Sequence, residues 1–171
     1  MTGGAQEIRA PEHLTAAHDT SAFDSGVRGL DEWLRRRALA NEETGASRTY
    51  VACAGGRVVG HFALASGGVT LWRAPGRVRR NMPDPIPVMI LGRLAVDRTW
   101  QGRSLGSSFL RDAVLRTLQA AGIGGIRALL VHEISEEARR SYQRYGFGES
   151  PLDPMTLMMT VADAERALSR K

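Results

Sequence analysis

The 171-residue chain reads as a mixed α/β sheet in one domain, residues 1–171. Three observations predict this. Segments of helical periodicity alternate with β-rich runs, in the order helix, hairpin, strand, helix, strand, helix, strand. The length fits a single domain with a sizeable core. The hydrophobic share of 43% and charged share of 24% are those of an ordinary globular protein.

Residues 1–25 read as an extended start, with a turn at Asp24-Ser25-Gly26. A helix is predicted over Leu30–Glu43, because Leu30, Trp33, Leu34 and Ala38 share one face and Gly45 suits the stop. Thr49–Ala54 and Val58–Ser66 are two β-rich runs joined by Gly55-Gly56-Arg57, a tight-hairpin signal. Residues 67–87 form a long connection rich in Gly, Pro and Arg, and long connections in compact domains are functional or disordered. Val88–Val96 is a strand. Leu105–Ala121 is an amphipathic helix, its stripe made by Leu105, Phe109, Leu110, Ala113, Val114, Leu118 and Ala121, with Gly122 as the stop. Ile126–Val131 is a buried strand. Ser135 caps a further helix that ends at Gly146, and Glu136 and Glu137 complement its dipole. Met155–Val161 is the last strand and Ala162–Ser169 a short helix.

No apolar run approaches the roughly 18–20 residues of a membrane span. The first residues, Met1 to Glu7, lack the basic and apolar regions of a signal peptide, so the expected location is cytoplasmic. Cys53 is the only cysteine, so no internal disulfide forms; it reads as a small buried hydrophobe in a strand. His13, His18 and His61 show no metal-ligand spacing, and no metal is expected.

The formal net charge is +5, from 23 basic and 18 acidic residues, and Lys171 is the only lysine. A GC-rich genome favours arginine codons. A polyanionic partner also favours arginine, since guanidinium pairs bidentately with phosphate. From Arg73 to Arg116 there are nine arginines against three acids, whereas the first 70 residues hold seven against eight. Codon bias alone does not concentrate the excess.

Two segments carry chemistry. The first is Leu94-Ala95-Val96-Asp97-Arg98-Thr99-Trp100-Gln101-Gly102-Arg103-Ser104-Leu105-Gly106-Ser107. A strand, a loop of small residues and a helix start aim free backbone N–H groups and a positive dipole end at one spot. A diphosphate is the natural ligand, although an ordinary strand-to-helix turn has the same outline. The spacing matches neither the P-loop nor the Rossmann fingerprint. It resembles the pyrophosphate-gripping pattern Gln/Arg-x-x-Gly-x-Gly/Ala of the GNAT acetyltransferases, with Gln101 and Gly106 in register. Ser104 stands where that family has Gly, and helical dihedrals at this position would tolerate it. The second segment is Glu136-Glu137-Ala138-Arg139-Arg140-Ser141-Tyr142-Gln143-Arg144-Tyr145-Gly146-Phe147. It is similar to the GNAT helix that carries a Tyr shortly before Gly-Phe. Tyr142 either packs on the sheet or acts as the acid that protonates the departing thiolate.

The GNAT resemblance implies a single mixed central sheet with helices on both faces, and acetyl-CoA as co-substrate. It implies that Gln101, Gly102, Arg103, Ser104, Leu105, Gly106 and Ser107 hold the pyrophosphate. It further implies that Leu94, Ala95 and Val96 splay from the parallel neighbour, bind the pantetheine arm and offer an N–H to the thioester carbonyl. A closer resemblance runs over nearly the whole chain. Phe23-Asp24-Ser25-Gly26, Leu30-Asp31-Glu32-Trp33-Leu34, Arg37-Ala38-Leu39-Ala40-Asn41, Thr49-Tyr50-Val51-Ala52, Leu91-Gly92-Arg93-Leu94-Ala95-Val96-Asp97 and Pro151-Leu152-Asp153-Pro154-Met155-Thr156-Leu157 look like GNAT toxins of the TacT/AtaT type, from type II toxin–antitoxin pairs. That family acetylates the α-amino group on aminoacyl-tRNA and so blocks translation. The resemblance implies a ribbon-helix-helix antitoxin as partner, DNA contact only through that antitoxin, and a homodimer.

Arg73, Arg77, Arg79, Arg80 and Arg93 are then the candidate RNA contacts, with Arg35 to Arg37 more simply a solvated helix face. An α-amino group titrates near pH ~7.7–8.0 and lower when the neighbouring carboxyl is esterified, so a side-chain base is not required. His132 and Glu133, at a strand end, are either water-relay partners or structural. Two other functions compete: a GNAT enzyme for a small or protein amine, which would need an acidic acceptor pocket, and a catalytically inert GNAT-like binding module.

Overall fold

The computed structural model describes residues 7–132 and 135–169. The strands are β1 (Glu12–His13), β2 (Arg48–Ala54), β3 (Arg57–Val69), β4 (Ile86–Val96), β5 (Ala128–His132), β6 (Gly148–Glu149) and β7 (Thr156–Thr160). They form one seven-stranded sheet in the order β1-β2-β3-β4-β5-β7-β6. The sheet is mixed: β4 and β5 are parallel, whereas β2 with β3, and β5 with β7, are antiparallel. The helices are α1 (Arg28–Arg36), α2 (Ala38–Thr44), α3 (Gly76–Arg79), α4 (Leu105–Ala121), α5 (Glu136–Tyr145) and α6 (Val161–Ser169). The chain divides into two compact units, one running to Leu64 and including Arg93–Asp112, the other comprising Ala65–Gly92 and the residues from Ala113 onward. Among the described residues no helix is long and apolar enough to cross a membrane.

In the first unit the predicted helix over Leu30–Glu43 is two helices, broken at Arg37 (φ −121°, ψ −31°). The ladder crosses the break: the Arg37 amide still bonds Trp33 O and its carbonyl takes the Asn41 amide. Only one residue's dihedrals change, and no proline or glycine announces it. Leu34 and Ala38 pack with Leu14, Phe23, Val51, Cys53, Val58 and Ala95 in one core. Cys53 is a free, buried thiol whose pKa burial pushes up, in keeping with a core role. The β2–β3 hairpin turns at Gly55 (φ +58°) and Gly56 (φ +81°), the paired left-handed conformation that two-residue hairpins need.

In the second unit the connection predicted over residues 67–87 is shorter and more structured. β3 runs on through Gly67 and Gly68 to Val69, a 3-10 turn covers Leu71–Arg73, and α3 follows. The two glycines continue the strand because neighbours sit where a side chain would project. A Cβ on Gly67 would lie 2.6 Å from Ile90 Cδ1, and one on Gly68 3.1 Å from Pro85 Cβ. The core here gathers Val69, Ala74, Val78, Ile86, Val88, Ala128, Leu130 and Met158. Arg127 fastens α3 to this core through its guanidinium, which donates to the carbonyls of Val78 (2.9 Å) and Arg77 (2.8 Å).

Candidate active site

In the first unit, β4 ends at a buried carboxylate. Asp97 is 4% exposed and accepts from Asp24 N (3.1 Å), Thr99 N (3.0 Å) and Thr99 Oγ1 (2.8 Å). Burial raises its pKa, but the hydrogen bonds from Thr99 and Asp24 more than offset this and hold it below the usual carboxylate value. The Asp24-Ser25-Gly26 turn is gripped from a second side by buried Asp31, which accepts from Ser25 N (3.1 Å) and Ser25 Oγ (2.6 Å). Gln101 completes the clasp. Its side-chain amide donates to Ser25 O and Val96 O, both at 2.9 Å. Gln101 thus anchors the strand-to-helix loop, and the Val96 carbonyl is occupied by it. The registered pairs of β4 with β5 run from Val88 to Leu91, while β4 continues through Leu94 and Ala95 to Val96.

Beyond Gln101 the loop passes Gly102 (φ +80°) and Ser104 (φ +64°) before α4 begins. The expectation of helical dihedrals at Ser104 is therefore corrected: the residue is left-handed, and its carbonyl accepts the Ser108 amide (3.2 Å) to start the helix. A left-handed non-glycine residue carries strain of about 1–2 kcal/mol, only part of which a glycine's extra unfolded-state entropy would offset. Ser104→Gly is expected to raise stability by up to about 1 kcal/mol in chemical denaturation, with acetyl-CoA affinity unchanged. The amides of Leu105, Gly106 and Ser107 open the helix and have no acceptor within it. A Cβ on Gly102 or Gly106 would meet no atom within 4 Å, so packing does not demand these glycines. Arg103 lies over the Trp100 ring, 4.5 Å from its centroid. Open glycines, helix-start amides and an adjacent arginine fit a diphosphate.

Arg93 sits in β4 with φ +63° and places its guanidinium 4.8 Å from the centroid of Trp33. Trp33 in turn stacks on His61 at 6.2 Å, and Phe23 meets His61 edge-on at 5.1 Å. His61 is fully buried and neither ring nitrogen has a partner among the described residues. Desolvation, with a smaller push from Arg93, lowers its pKa from 6.5 to about 3. Between those values the unfolded chain binds a proton that the folded chain refuses. The contribution to stability is therefore full above about pH 6.5 and declines as pH falls towards 3. At pH 5 this amounts to about 2 kcal/mol. Denaturation curves of the wild type at pH 7 and pH 5 are expected to differ by that order, and in His61→Leu the difference is expected largely to vanish.

In the second unit, α5 has the predicted caps. Ser135 Oγ accepts from Ala138 N (3.1 Å), and Gly146 (φ +123°) ends the helix. Tyr142 is half-buried, its ring edge-on to buried Phe147 at 5.4 Å. Arg139, three residues before Tyr142, donates to Pro154 O (3.1 Å), pairs with Glu136 and contacts Glu149. This ties the Tyr142 helix to the turn at residues 151–155. The same turn holds His132. Thr156 Oγ1 lies 2.7 Å from Asp153 Oδ2 and 2.8 Å from His132 Nδ1. Glu133 lies outside the described residues.

The arginines predicted to meet RNA have different fates. Arg77 is ion-paired with Asp163 at 2.7 Å, and Arg93 is committed to Trp33. Arg73, Arg79 and Arg80 are exposed and take part in no salt bridge among the described residues. Trp72, beside Arg73, is 76% exposed, a feature the charge count missed. Loop residues 101–107, Leu94–Val96 and Arg93 belong to the first unit; Tyr142, His132 and the remaining four arginines belong to the second.

Residues 45–149 match the family model described as the acetyltransferase (GNAT) domain. The chain belongs to the GNAT acetyltransferase family. It is an acetyl-CoA-dependent N-acetyltransferase. A tRNA-acetylating toxin of Mycobacterium tuberculosis (strain ATCC 25618 / H37Rv) is 56% identical over 159 residues, which span 93% of this acetyltransferase and 95% of the relative. The structure of AtaT complexed with acetyl-methionyl-tRNAfMet matches with a TM-score of 0.86 at 25% identity, over 95% of this chain and 99% of that one. AtaTR bound with AcCoA matches with a TM-score of 0.80 at 25% identity, over 96% and 98%. A KacT structure shares the fold, with a TM-score of 0.86 at 22% identity over 94% and 99%.

Among the described residues of the acetyltransferase, one cluster has the composition of a metal site. Glu12, His18 and Cys53 bring their ligand atoms within 4.8 Å of one another. Sequence spacing did not reveal it, because the strand pairing of β1 with β2 brings Glu12 and Cys53 near. The hydrogen bonds oppose metal binding. The Thr15 amide donates to His18 Nδ1 (2.9 Å), so the proton sits on Nε2 and is donated to Glu12 (2.9 Å). A metal at Nε2 would displace that proton to Nδ1, where it would face the Thr15 N–H.

Proposed function

We propose that this acetyltransferase is a toxin that moves acetyl from acetyl-CoA to the α-amino group of aminoacyl-tRNA and thereby blocks translation. The observation that carries the reading is the 56% identity, over 93% of the chain, to a protein named a tRNA-acetylating toxin. The likeness to AtaT complexed with acetyl-methionyl-tRNAfMet supports it. So do the exposed Arg73, Arg79 and Arg80 and the exposed Trp72 next to Arg73 in sequence, since guanidinium groups meet phosphates and an open aromatic face accepts a base. Arg77 and Arg93 join them only by giving up Asp163 and Trp33.

In this reading the chain works as a single domain. The amides from Gly102 to Ser107, with Arg103, hold the pyrophosphate, while Gln101 fixes the loop that presents them. Leu94 and Ala95 serve the pantetheine arm, and an N–H there polarises the thioester carbonyl. Val96 contributes through its amide, its carbonyl being bonded to Gln101. Tyr142 donates its phenolic proton to the departing thiolate. A ribbon-helix-helix antitoxin neutralises the toxin, and DNA is met only through that antitoxin; the likeness to AtaT in an AtaT-AtaR complex bound to DNA supports an antitoxin partner. The working form is a homodimer in the cytoplasm, where aminoacyl-tRNA is made.

The reading is tested with labelled acetyl-CoA and three acceptors: bulk aminoacyl-tRNA, the same tRNA after deacylation, and a panel of small amines. Label confined to the aminoacylated tRNA is expected. Label confined to a small amine would move the enzyme to the small-molecule acetyltransferases.

A further inference from the structure

The Pro151-to-Leu157 segment has a role that packing alone does not explain. Its two polar residues, Asp153 and Thr156, build a directional hydrogen-bond chain to His132. Thr156 opens β7 and is the cross-strand partner of His132, the last residue of β5. Asp153 shapes the turn before it, accepting from Met155 N (3.0 Å) through Oδ1 and, through its carbonyl, from Thr156 N (3.0 Å). Its other oxygen, Oδ2, takes the Thr156 hydroxyl proton at 2.7 Å. A carboxylate only accepts, so the hydroxyl must donate to it, and the lone pair of Oγ1 must then accept from His132 Nδ1 at 2.8 Å. The proton on His132 is therefore fixed on Nδ1. Nε2 is left with its lone pair on an exposed residue at the strand end. A carboxylate that fixes an imidazole tautomer, here through a hydroxyl, is how proteins ready a histidine to take a proton.

We infer that His132 Nε2 is the proton acceptor for the attacking amine, with Thr156 and Asp153 as its positioning residues. As the amine nitrogen bonds to the acetyl carbonyl carbon, it must lose a proton. That proton passes to Nε2, directly or through one water, and leaves an imidazolium bonded to Thr156. The carbon–sulfur bond breaks with its electron pair on sulfur, and the thiolate takes the proton of Tyr142. Among the described residues, the charged groups facing the hydrogen-bond chain are the Asp153 carboxylate and Arg73, whose charge acts on Asp153. Arg139 binds the same turn to the Tyr142 helix through Pro154 O, so proton donor and proton acceptor share one support. The inference rests on the proposed function for the identity of the amine and for Tyr142 as the proton donor.

The test is the single-turnover transfer rate of His132→Gln, His132→Ala, Thr156→Val and Thr156→Ser, with acetyl-CoA affinity measured beside it. Both His132 variants are expected to fall about 100-fold or more at unchanged acetyl-CoA affinity, and imidazole in solution is expected to restore part of the His132→Ala rate. Thr156→Val is expected to lose about 5-fold, as for one directing hydrogen bond, and Thr156→Ser to recover it. A wild-type rate in His132→Gln, or a loss matched by lost acetyl-CoA affinity, overturns the inference. Should the wild type leave aminoacyl-tRNA unlabelled, the proposed substrate fails but this inference does not. The same variants are then read on acetyl-CoA hydrolysis, where water replaces the amine, and an unchanged hydrolysis rate in His132→Gln overturns it.

Discussion

Tyr142→Phe is expected to lower the rate of acetyl transfer by about 10²–10⁴-fold, the span that loss of a positioned acid brings. The change deletes one oxygen. The ring keeps its edge-on contact with Phe147, and the cap at Gly146 depends on backbone, since Gly146 and Phe147 donate to the Tyr142 carbonyl. Acetyl-CoA affinity should therefore stay close to wild type, and the loss should appear in the transfer step. Isothermal titration with acetyl-CoA and a single-turnover transfer assay separate the two. A Tyr142→Phe enzyme of full activity would remove the tyrosine from the chemistry and leave it a packing residue.

Asp97→Ala is expected to cost about 3 kcal/mol of stability, because three donors lose one buried acceptor and each such loss costs about 1 kcal/mol. For a chain of this size that is a fall in Tm of about 6–12 °C. The effect should not stop at stability. Asp97 ties the 3-10 turn of Arg98–Trp100 to the Asp24 turn, and Gln101 leaves from that turn to bond Ser25 and Val96. Loosening it frees the loop whose amides are proposed to hold the pyrophosphate, so acetyl-CoA should bind more weakly as well. Asp97→Asn keeps an oxygen for Thr99 but turns an N–H towards the donor at Asp24, and should lose about half as much. An Asp97→Ala protein that melts with the wild type would show that the clasp does not fix this end of β4.

The elements written plainly in the sequence are those that local rules decide. α4 runs from Leu105 to Ala121, as its apolar stripe and Gly122 predict, and α5 lies between the Ser135 cap and Gly146. The Gly55-Gly56 hairpin needs only two left-handed residues. The segment after residue 66 was harder, because Gly67-Gly68 reads as a stop when no account is taken of Ile90 and Pro85 lying over it. The break at Arg37 and the left-handed backbone at Ser104 fall on residue types with no preference for them, so neither residue announces its own conformation. The candidate site divides in the same way. Tyr142 and the Gln101–Ser107 loop stand in short motifs. The clasp joins Asp24 to Asp97 across 73 positions, and the His132 chain joins β5 to β7 across 24, so both exist only once the strands are paired. The arginine excess points to a region but not to the members that, among the described residues, stay outside a salt bridge, since the pairing of Arg77 with Asp163 links positions 86 apart.

The most direct test of the central claim is where the acetyl group goes. Aminoacyl-tRNA is incubated with the enzyme and acetyl-CoA, digested with nuclease, and the released aminoacyl-adenosine is identified by mass. Acetyl on the α-nitrogen of the amino acid, absent when Tyr142→Phe replaces the wild type, is the predicted result. Unmodified aminoacyl-adenosine from an enzyme that binds acetyl-CoA and acetylates another amine would contradict it.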